Sequence, residues 1–183
     1  MRSINVKATH LMTSQALLVF LTLGGCGPDL RSENSAIGDL QFPTRDDFPA
    51  VSDAMQLKCG TLDCHGQTGR NLRLFGHYGL RLADGGNPID PFESTEEEYE
   101  ASYLSVIGLE PEAMTKVVRK QLAPIDLQFV RKPRNIESHK GHQLMSKGDP
   151  LDRCLVGWLT AAFDADACTY VVTHPKPEPD GGP

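Results

Sequence analysis

Residues 57–66, LKCGTLDCHG, contain the side chains of this chain with the greatest capacity for chemistry. Four residues separate the thiols of Cys59 and Cys64, and the imidazole of His65 directly follows the second thiol. Two such thiols can bond to the two vinyl groups of a haem while the imidazole binds its iron, which is the chemistry of the shorter pattern C-x-x-C-H. The longer loop departs from that pattern, and Gly60 makes it feasible because glycine adopts backbone angles that other residues avoid.

The same side chains allow two other structures. Cys59 and Cys64 can form a disulfide, because the short loop lets their α-carbons approach to the distance that this bond requires. They can also bind zinc with His65 or His77, although a clear fourth ligand is missing from the sequence. Haem, disulfide and zinc therefore all stay open at this motif.

The first 25 residues are typical of an export signal. Arg2 and Lys7 precede the mainly apolar run 11–25, and this N-terminal part contains no acidic residue. The run is too short and too lightly flanked to be retained as a membrane-spanning helix. We therefore expect an oxidising compartment outside the cytosol.

The signal ends in LGGC, residues 23–26, which resembles the lipobox of bacterial lipoproteins. This resemblance implies cleavage before Cys26, acylation of its thiol and attachment to a membrane through lipid. Two or more acyl chains hold a protein stably in a bilayer. Gly27 stands where an aspartate would favour retention in the inner membrane, so the resemblance implies the outer membrane, at its periplasmic or surface face.

The mature chain is acidic. Removal of residues 1–25 leaves 16 basic and 24 acidic side chains, a formal charge of −8. An acidic exported domain is a poor partner for nucleic acid. No P-loop, dinucleotide fingerprint, G-x-S-x-G or H-E-x-x-H motif occurs in the chain, so an electron carrier or a binding protein is expected rather than an enzyme.

With Cys26 acylated, Cys154 and Cys168 remain besides the two motif cysteines. Cys154 lies on the inward stripe of the last predicted helix, and Cys168 follows after an acidic turn. A chain that doubles back after the helix brings the two thiols together, so we expect a structural disulfide.

Composition divides the chain into four parts. Residues 1–25 form the signal, and residues 26–45 form a polar tether with scattered Gly and Pro. Residues 46–172 form one folded domain, and residues 173–183 form a tail whose Pro, Gly and charge predict disorder.

A first helix is predicted from Asp46 or Asp47, because acidic residues and Pro49 fill its first turn and apolar residues follow at helical spacing. It leads directly into Cys59. After the motif, alternating leucines at residues 72–82 are interrupted by glycines, which predicts extended segments and turns.

Further helices are predicted near the C-terminal side. Ser94 and Glu97 have the spacing of a capping box, and Pro111 begins a short helix. Asp149 is the predicted N-cap of the last helix, with Pro150 at its first position. The inward stripe of this helix consists of Leu151, Cys154, Leu155, Trp158, Leu159 and Ala162. The expected fold class is therefore mainly α, with a loop-rich middle.

A helix that leads into C…CHG, a loop-rich middle and a closing helix with an inward aromatic residue together resemble a small c-type cytochrome domain, over residues 46–163. The resemblance implies haem c, with thioether bonds to Cys59 and Cys64 and with His65 as the proximal iron ligand. It also implies a second ligand in the loop before the last helix, where Met145 stands. His139, His142 and His77 are alternative candidates for that second position.

The function that this resemblance implies is transfer of single electrons, with a redox protein as partner. We expect the following residues to form the walls of the haem pocket: Phe48, Val51, Met55, Leu155, Trp158 and Leu159. The competing hypothesis is a non-enzymatic surface or periplasmic lipoprotein in which Cys59 and Cys64 form a disulfide and no haem is bound.

Overall fold

The computed structural model describes residues 39–82 and 90–175, and this part of the chain is mainly helical, which confirms the predicted fold class. The expected signal, Cys26, most of the tether and residues 176–183 of the tail lie outside the described residues. The helices within them are α1 (Phe48–Cys59), α2 (Glu96–Ile107), α3 (Pro111–Val118), α4 (Gln128–Arg131), α5 (Pro150–Leu159) and α6 (Ala165–Thr173), with a 3-10 turn at Pro124–Asp126.

Helix α1 carries the first motif cysteine on its last turn. Phe48, Val51 and Met55 are buried along one face, and Pro49 in the first turn provides a backbone angle already suited to a helix. The helix ends at Cys59, and its C-cap is Gly60, whose N–H donates to the carbonyl of Gln56 at 2.8 Å. The sequence therefore predicted both the position of this helix and its delivery of Cys59.

Three aromatic side chains hold α1, α2 and α5 together. The ring of Phe48 lies 5.2 Å from that of Trp158 and 5.3 Å from that of Tyr103, the latter edge to face. The indole N–H of Trp158 donates to the carbonyl of Thr44 at 2.8 Å. A buried Trp requires such an acceptor, so this contact also attaches the segment that precedes α1.

Residues 39–45, which the sequence analysis assigned to the tether, are packed against the helices. Phe42 is partly buried against the core. The N–H of Gln41 donates to the hydroxyl of Thr115 at 2.9 Å. The folded domain therefore begins before Asp46, because Phe42, the buried Pro43 and the hydrogen bonds of this segment dock it on the helices.

The capping box of α2 lies one residue later than predicted. Thr95, not Ser94, accepts from the N–H of Glu98 at 3.2 Å, and the Glu98 carboxylate accepts from the N–H of Thr95 at 3.0 Å. Glu98 is 1% exposed and also accepts from Arg81 at 2.7 Å. The run of three glutamates allows two capping boxes, Ser94 with Glu97 or Thr95 with Glu98. The second is adopted because it includes the glutamate that forms the buried ion pair.

Residues 60–82 contain turns and no helix, so the turns predicted at residues 72–82 are present, whereas the predicted extended segments amount to one isolated bridge. Phe75 and Leu80 form an isolated backbone bridge. The hydroxyl of the fully buried Ser102 accepts from the N–H of Phe75 at 2.9 Å and donates to its carbonyl at 3.2 Å. A side chain of helix α2 thus supplies the hydrogen bonds that a neighbouring strand would otherwise provide to Phe75.

Helix α5 begins as predicted, with the Asp149 carboxylate accepting from the N–H of Asp152 at 2.8 Å. It ends at Leu159, and Ala162, which was expected on the inward stripe, is exposed. The backbone at Ala161 has a positive φ of 56°, which turns the chain out of the helical path.

The predicted disulfide between Cys154 and Cys168 is present, and it joins α5 to α6. Helix α6 was not predicted, and its first residues form a helix where an acidic turn was expected. Asp164 is its N-cap, since its carboxylate accepts from the N–H of Ala167 at 2.9 Å. A helix of only nine residues is marginal on its own, and the disulfide and the contacts with α1 and α5 hold it here.

Among residues 39–82 and 90–175, no helix is both long enough and apolar enough to cross a membrane.

Replacement of both Cys154 and Cys168 by alanine should lower the free energy of unfolding by about 3 kcal/mol, the chain-entropy value for a loop of this length. Urea denaturation followed by circular dichroism would measure it. Unfolding of the wild-type protein in excess reductant should approach that of the variant, whereas reductant should leave the variant unchanged. Equal stability of oxidised wild type and variant would show that the bond has no stabilising role.

Candidate functional site

The loop after α1 folds back on the end of the helix. The N–H of His65 donates to the carbonyl of Cys59 at 2.9 Å, and the N–H of Cys64 donates to the carbonyl of Thr61 at 2.9 Å. These bonds accommodate the longer spacing as a compact turn. The four residues between the cysteines therefore do not separate the second thiol and His65 from the first.

Glycines allow this turn to pack against its neighbours. A Cβ atom at Gly66 would lie 2.1 Å from the carbonyl oxygen of Gly60, and one at Gly79 would lie 1.8 Å from the same oxygen. Both distances are far inside van der Waals contact, and the obstructing atom belongs to the backbone. The glycine that follows His65 is therefore required by close backbone packing.

Arg70 holds the outer part of the loop. Its guanidinium donates to the carbonyl of Cys64 at 3.1 Å and to that of Asp63 at 3.3 Å. No sequence signal marks Arg70, because its partners are backbone atoms that the fold brings into reach.

Two adjoining cavities, of about 410 and 430 Å³, lie beside the motif. Five residues line both of them: Cys59, His65, Arg70, His139 and Leu144. Cys64 lines the second cavity. Each volume falls within the range of small-molecule and cofactor sites, about 300 to 1,000 Å³. The structure thus brings both motif thiols and His65 to one concave site.

His65 presents one ring nitrogen to the cavity as a potential ligand. Its Nδ1 lies 3.0 Å from the carbonyl oxygen of Leu72. A carbonyl can only accept, so Nδ1 carries the hydrogen and Nε2 keeps its lone pair in the neutral ring. Burial lowers the pKa of His65, and the proximity of His139 and Arg70 lowers it further, against the opposing effect of the Leu72 hydrogen bond. The neutral form is the one that binds metals.

A second imidazole, that of His139, faces His65. The two ring centroids are 6.1 Å apart and the ring planes differ by 15°. The Nδ1 of His139 lies 3.1 Å from the carbonyl oxygen of His142, and the N–H of His142 donates back to the carbonyl of His139 at 3.0 Å. A closed turn therefore fixes the ring of His139 with its Nε2 unpaired, as at His65.

Met145, which the sequence analysis expected as the second iron ligand, lies elsewhere. Its side chain is 2% exposed within the hydrophobic core, and it lines neither cavity. His142 is exposed, and His77 bonds through Nδ1 to the hydroxyl of Ser94 at 3.1 Å. Among the four candidates for the second ligand, only His139 lines the cavities.

The expected pocket walls are also different. The six aromatic and aliphatic residues of α1 and α5 that were predicted to surround a haem form the core of the domain, and none lines either cavity. The apolar lining comes instead from the loops and α4, where it consists of Leu72, Leu109, Phe129, Pro133 and Leu144. Periodicity marks inward faces, but it does not distinguish a core from a cavity.

The two motif thiols are not joined to each other. Burial raises the pKa of Cys59 to about 12, and the neighbouring Cys64 contributes to the increase, so the Cys59 thiol stays protonated at neutral pH. Within the described residues, no group of three or more His, Cys, Asp or Glu side chains could hold a metal ion.

Basic side chains predominate among the charged residues of the cavities. Arg70, Lys132 and Lys140 line them, and Asp63 is the one acidic residue in the lining. Lys132 is partly neutralised by Glu137, whose carboxylate lies 3.0 Å from its ammonium group. This distribution favours a ligand with negative charge at its edge.

No family model matches the chain, and no match was found among the curated proteins or the solved structures. The functional inference therefore depends on the residues of this site.

Replacement of Gly66 by alanine should destabilise the protein by about 1 to 3 kcal/mol, the usual range for overpacking against atoms that cannot move aside. Chemical denaturation would measure the change. Gly69→Ala is the matched control, because no atom lies within 4 Å of a Cβ at this position of the same loop region. A loss at Gly69 as large as that at Gly66 would contradict the close-packing explanation.

Proposed function

We propose that this protein is a lipid-anchored electron carrier of the cell envelope that holds one haem c. The observation that carries the proposal is the meeting of Cys59, Cys64 and His65 at one cavity, where a second imidazole faces the first. When bound, haem supplies reversible one-electron chemistry. A redox protein is the expected partner.

The chain would contribute attachment and ligation. Each thiol, at Cys59 and Cys64, would add across one vinyl group, so that a sulfur–carbon bond forms and the thiol hydrogen moves to the other vinyl carbon. No atom is lost in this addition. Nε2 of His65 would bind the iron, while the carbonyl of Leu72 keeps the ring in the required tautomer and orientation.

The remaining lining fits the same group. The leucines, Phe129 and Pro133 give an apolar surface that would exclude water from a porphyrin face. Lys140 and the remaining N–H groups of Arg70 line the cavity and would pair with carboxylates at a porphyrin edge. An apolar cleft with a positively charged edge matches an amphipathic macrocycle better than a uniformly polar ligand.

The unjoined thiols support the carrier over the competing disulfide-stabilised lipoprotein. Cys154 and Cys168 form a disulfide in this structure, whereas Cys59 and Cys64, at a much shorter separation in the chain, do not. Both motif thiols line a cavity instead, which is where a covalently attached group requires them.

Covalent haem should be detectable by intact mass and absorption on the protein purified from its own host. The expected mass is that of the mature lipidated chain plus one complete haem, retained after denaturation, with a Soret band that shifts on reduction. Cys59→Ala and Cys64→Ala variants should each keep one thioether at most, and the double variant should lose haem on denaturation.

The Cys154→Ala and Cys168→Ala double variant is the control, because it removes two cysteines away from the cavity and should keep its haem. A colourless wild-type protein whose mass shows a second disulfide would overturn the proposal.

The Cys26→Ser variant should lose membrane attachment, because serine lacks the thiol that the lipobox resemblance assigns to acylation. Phase partitioning in detergent and fractionation of host cells would show the variant in the aqueous fraction and the wild-type protein in the membrane fraction. Mass spectrometry of the N-terminal peptide would identify the lipid. Membrane attachment that is unchanged in the variant would contradict lipidation at Cys26.

A further inference from the structure

We infer that His139 is the second axial ligand, so that His65 and His139 bind one iron from opposite sides. This inference rests on the proposed function, since it concerns the same haem. It differs from the expectation that the sequence raised, which placed Met145 in that position.

The separation of the two rings fits an iron between them. Two metal–nitrogen bonds of about 2.0 Å, and about 1.2 Å from each nitrogen to its ring centre, place the centroids of trans imidazoles about 6.4 Å apart. The observed separation between His65 and His139 is 6.1 Å. The planes of the two rings differ by 15°.

The hydrogen bonds of the two rings agree with this assignment. In both rings Nδ1 is bonded to a backbone carbonyl, Leu72 for His65 and His142 for His139. The rings do not bond to each other, although each keeps an Nε2 lone pair available. Metal-binding histidines characteristically donate their second ring N–H to a carbonyl or carboxylate in this way.

The loop that carries His139 is anchored at both ends. Before it, the guanidinium of Arg134 bonds to the buried carboxylate of Asp152 at 2.7 Å. After it, the N–H groups of Leu144 and Met145 both donate to the carbonyl of Pro133, at 2.8 and 3.2 Å. The buried side chain of Met145 fixes this second anchor in the core, so Met145 acts as a structural residue of the loop.

Two nitrogen ligands have a functional consequence. Methionine with histidine is the ligand pair associated with high reduction potential, so a pair of histidines would give a lower potential. Both axial positions would be filled, which leaves no open position for a small ligand. The site would therefore suit electron transfer rather than binding or activation of oxygen.

The test is the His139→Ala variant of the full-length lipidated protein, purified from its host. The wild-type ferric protein should show a low-spin electron paramagnetic resonance signal without the long-wavelength absorption band of sulfur ligation, and its ferrous form should not bind carbon monoxide. The variant should become high-spin and bind carbon monoxide. Added imidazole should restore the low-spin spectrum, which a purely structural role of His139 would not explain.

Two variants serve as controls. Met145→Leu should keep the low-spin spectrum, because leucine fills a similar volume in the core. His142→Asn should also keep it, since the carbonyl that holds His139 belongs to the backbone and asparagine tolerates the positive φ of 58° at this position.

The outcomes separate this inference from the proposed function. Covalent haem in all variants, with a spectrum that changes for Met145→Leu and not for His139→Ala, would overturn His139 as ligand and leave haem attachment intact. Absence of covalent haem from the wild-type protein would overturn both. Covalent haem together with imidazole rescue of His139→Ala alone would establish the pair.

Discussion

The site depends on one close backbone approach. The carbonyl of Gly60 occupies the space that side chains at Gly66 and Gly79 would need, so the end of α1, the cysteine loop and the following segment pack with no side chain between them. This approach places the carbonyl of Leu72 within hydrogen-bond reach of His65. The positions of both motif thiols and the ring orientation of His65 depend on this close backbone approach.

The opposite side of the cavity is built differently. His139 lies on a loop without regular structure, and side-chain ion pairs maintain that loop. Arg134 bonds to the nearly buried carboxylate of Asp152, which also accepts from the N–H of Gly148 at 2.8 Å. Loss of one partner from such a pair leaves a buried charge without compensation, at a cost of about 3 to 5 kcal/mol. Polar contacts therefore hold this loop in place, in a segment without apolar periodicity.

The aromatic cluster of Phe48, Tyr103 and Trp158 has a separate role. It fills the space between α1, α2 and α5, and the disulfide joins α5 to α6 behind it. The cavity lies away from this aromatic cluster, against the end of α1, α4 and the loops. None of the three aromatic residues lines the cavity, whereas Cys59 and Phe129 belong both to the core and to the cavity lining.

Several features could be predicted from the sequence because their causes are local. The helical periodicity of α1, the Asp149 cap with Pro150, and the spacing of Cys59, Cys64 and His65 each depend on neighbours in the chain. Cys154 and Cys168 could be paired because a chain that doubles back after a helix keeps them close. The predicted capping box of α2 was wrong by one residue. Adjacent glutamates are equivalent in the local sequence, and only the distant Arg81 distinguishes between them.

The choice of the residue that faces His65 was decided by the tertiary structure. Met145 and His139 lie in the same loop, and nothing in their sequence neighbourhood shows which one turns inward to the core and which one reaches the cavity. The bond between Arg134 and Asp152, the carbonyl of Pro133 and the turn closed at His142 make that choice together. The sequence determined that thiols and an imidazole meet after α1, whereas packing between distant segments determined what stands opposite them.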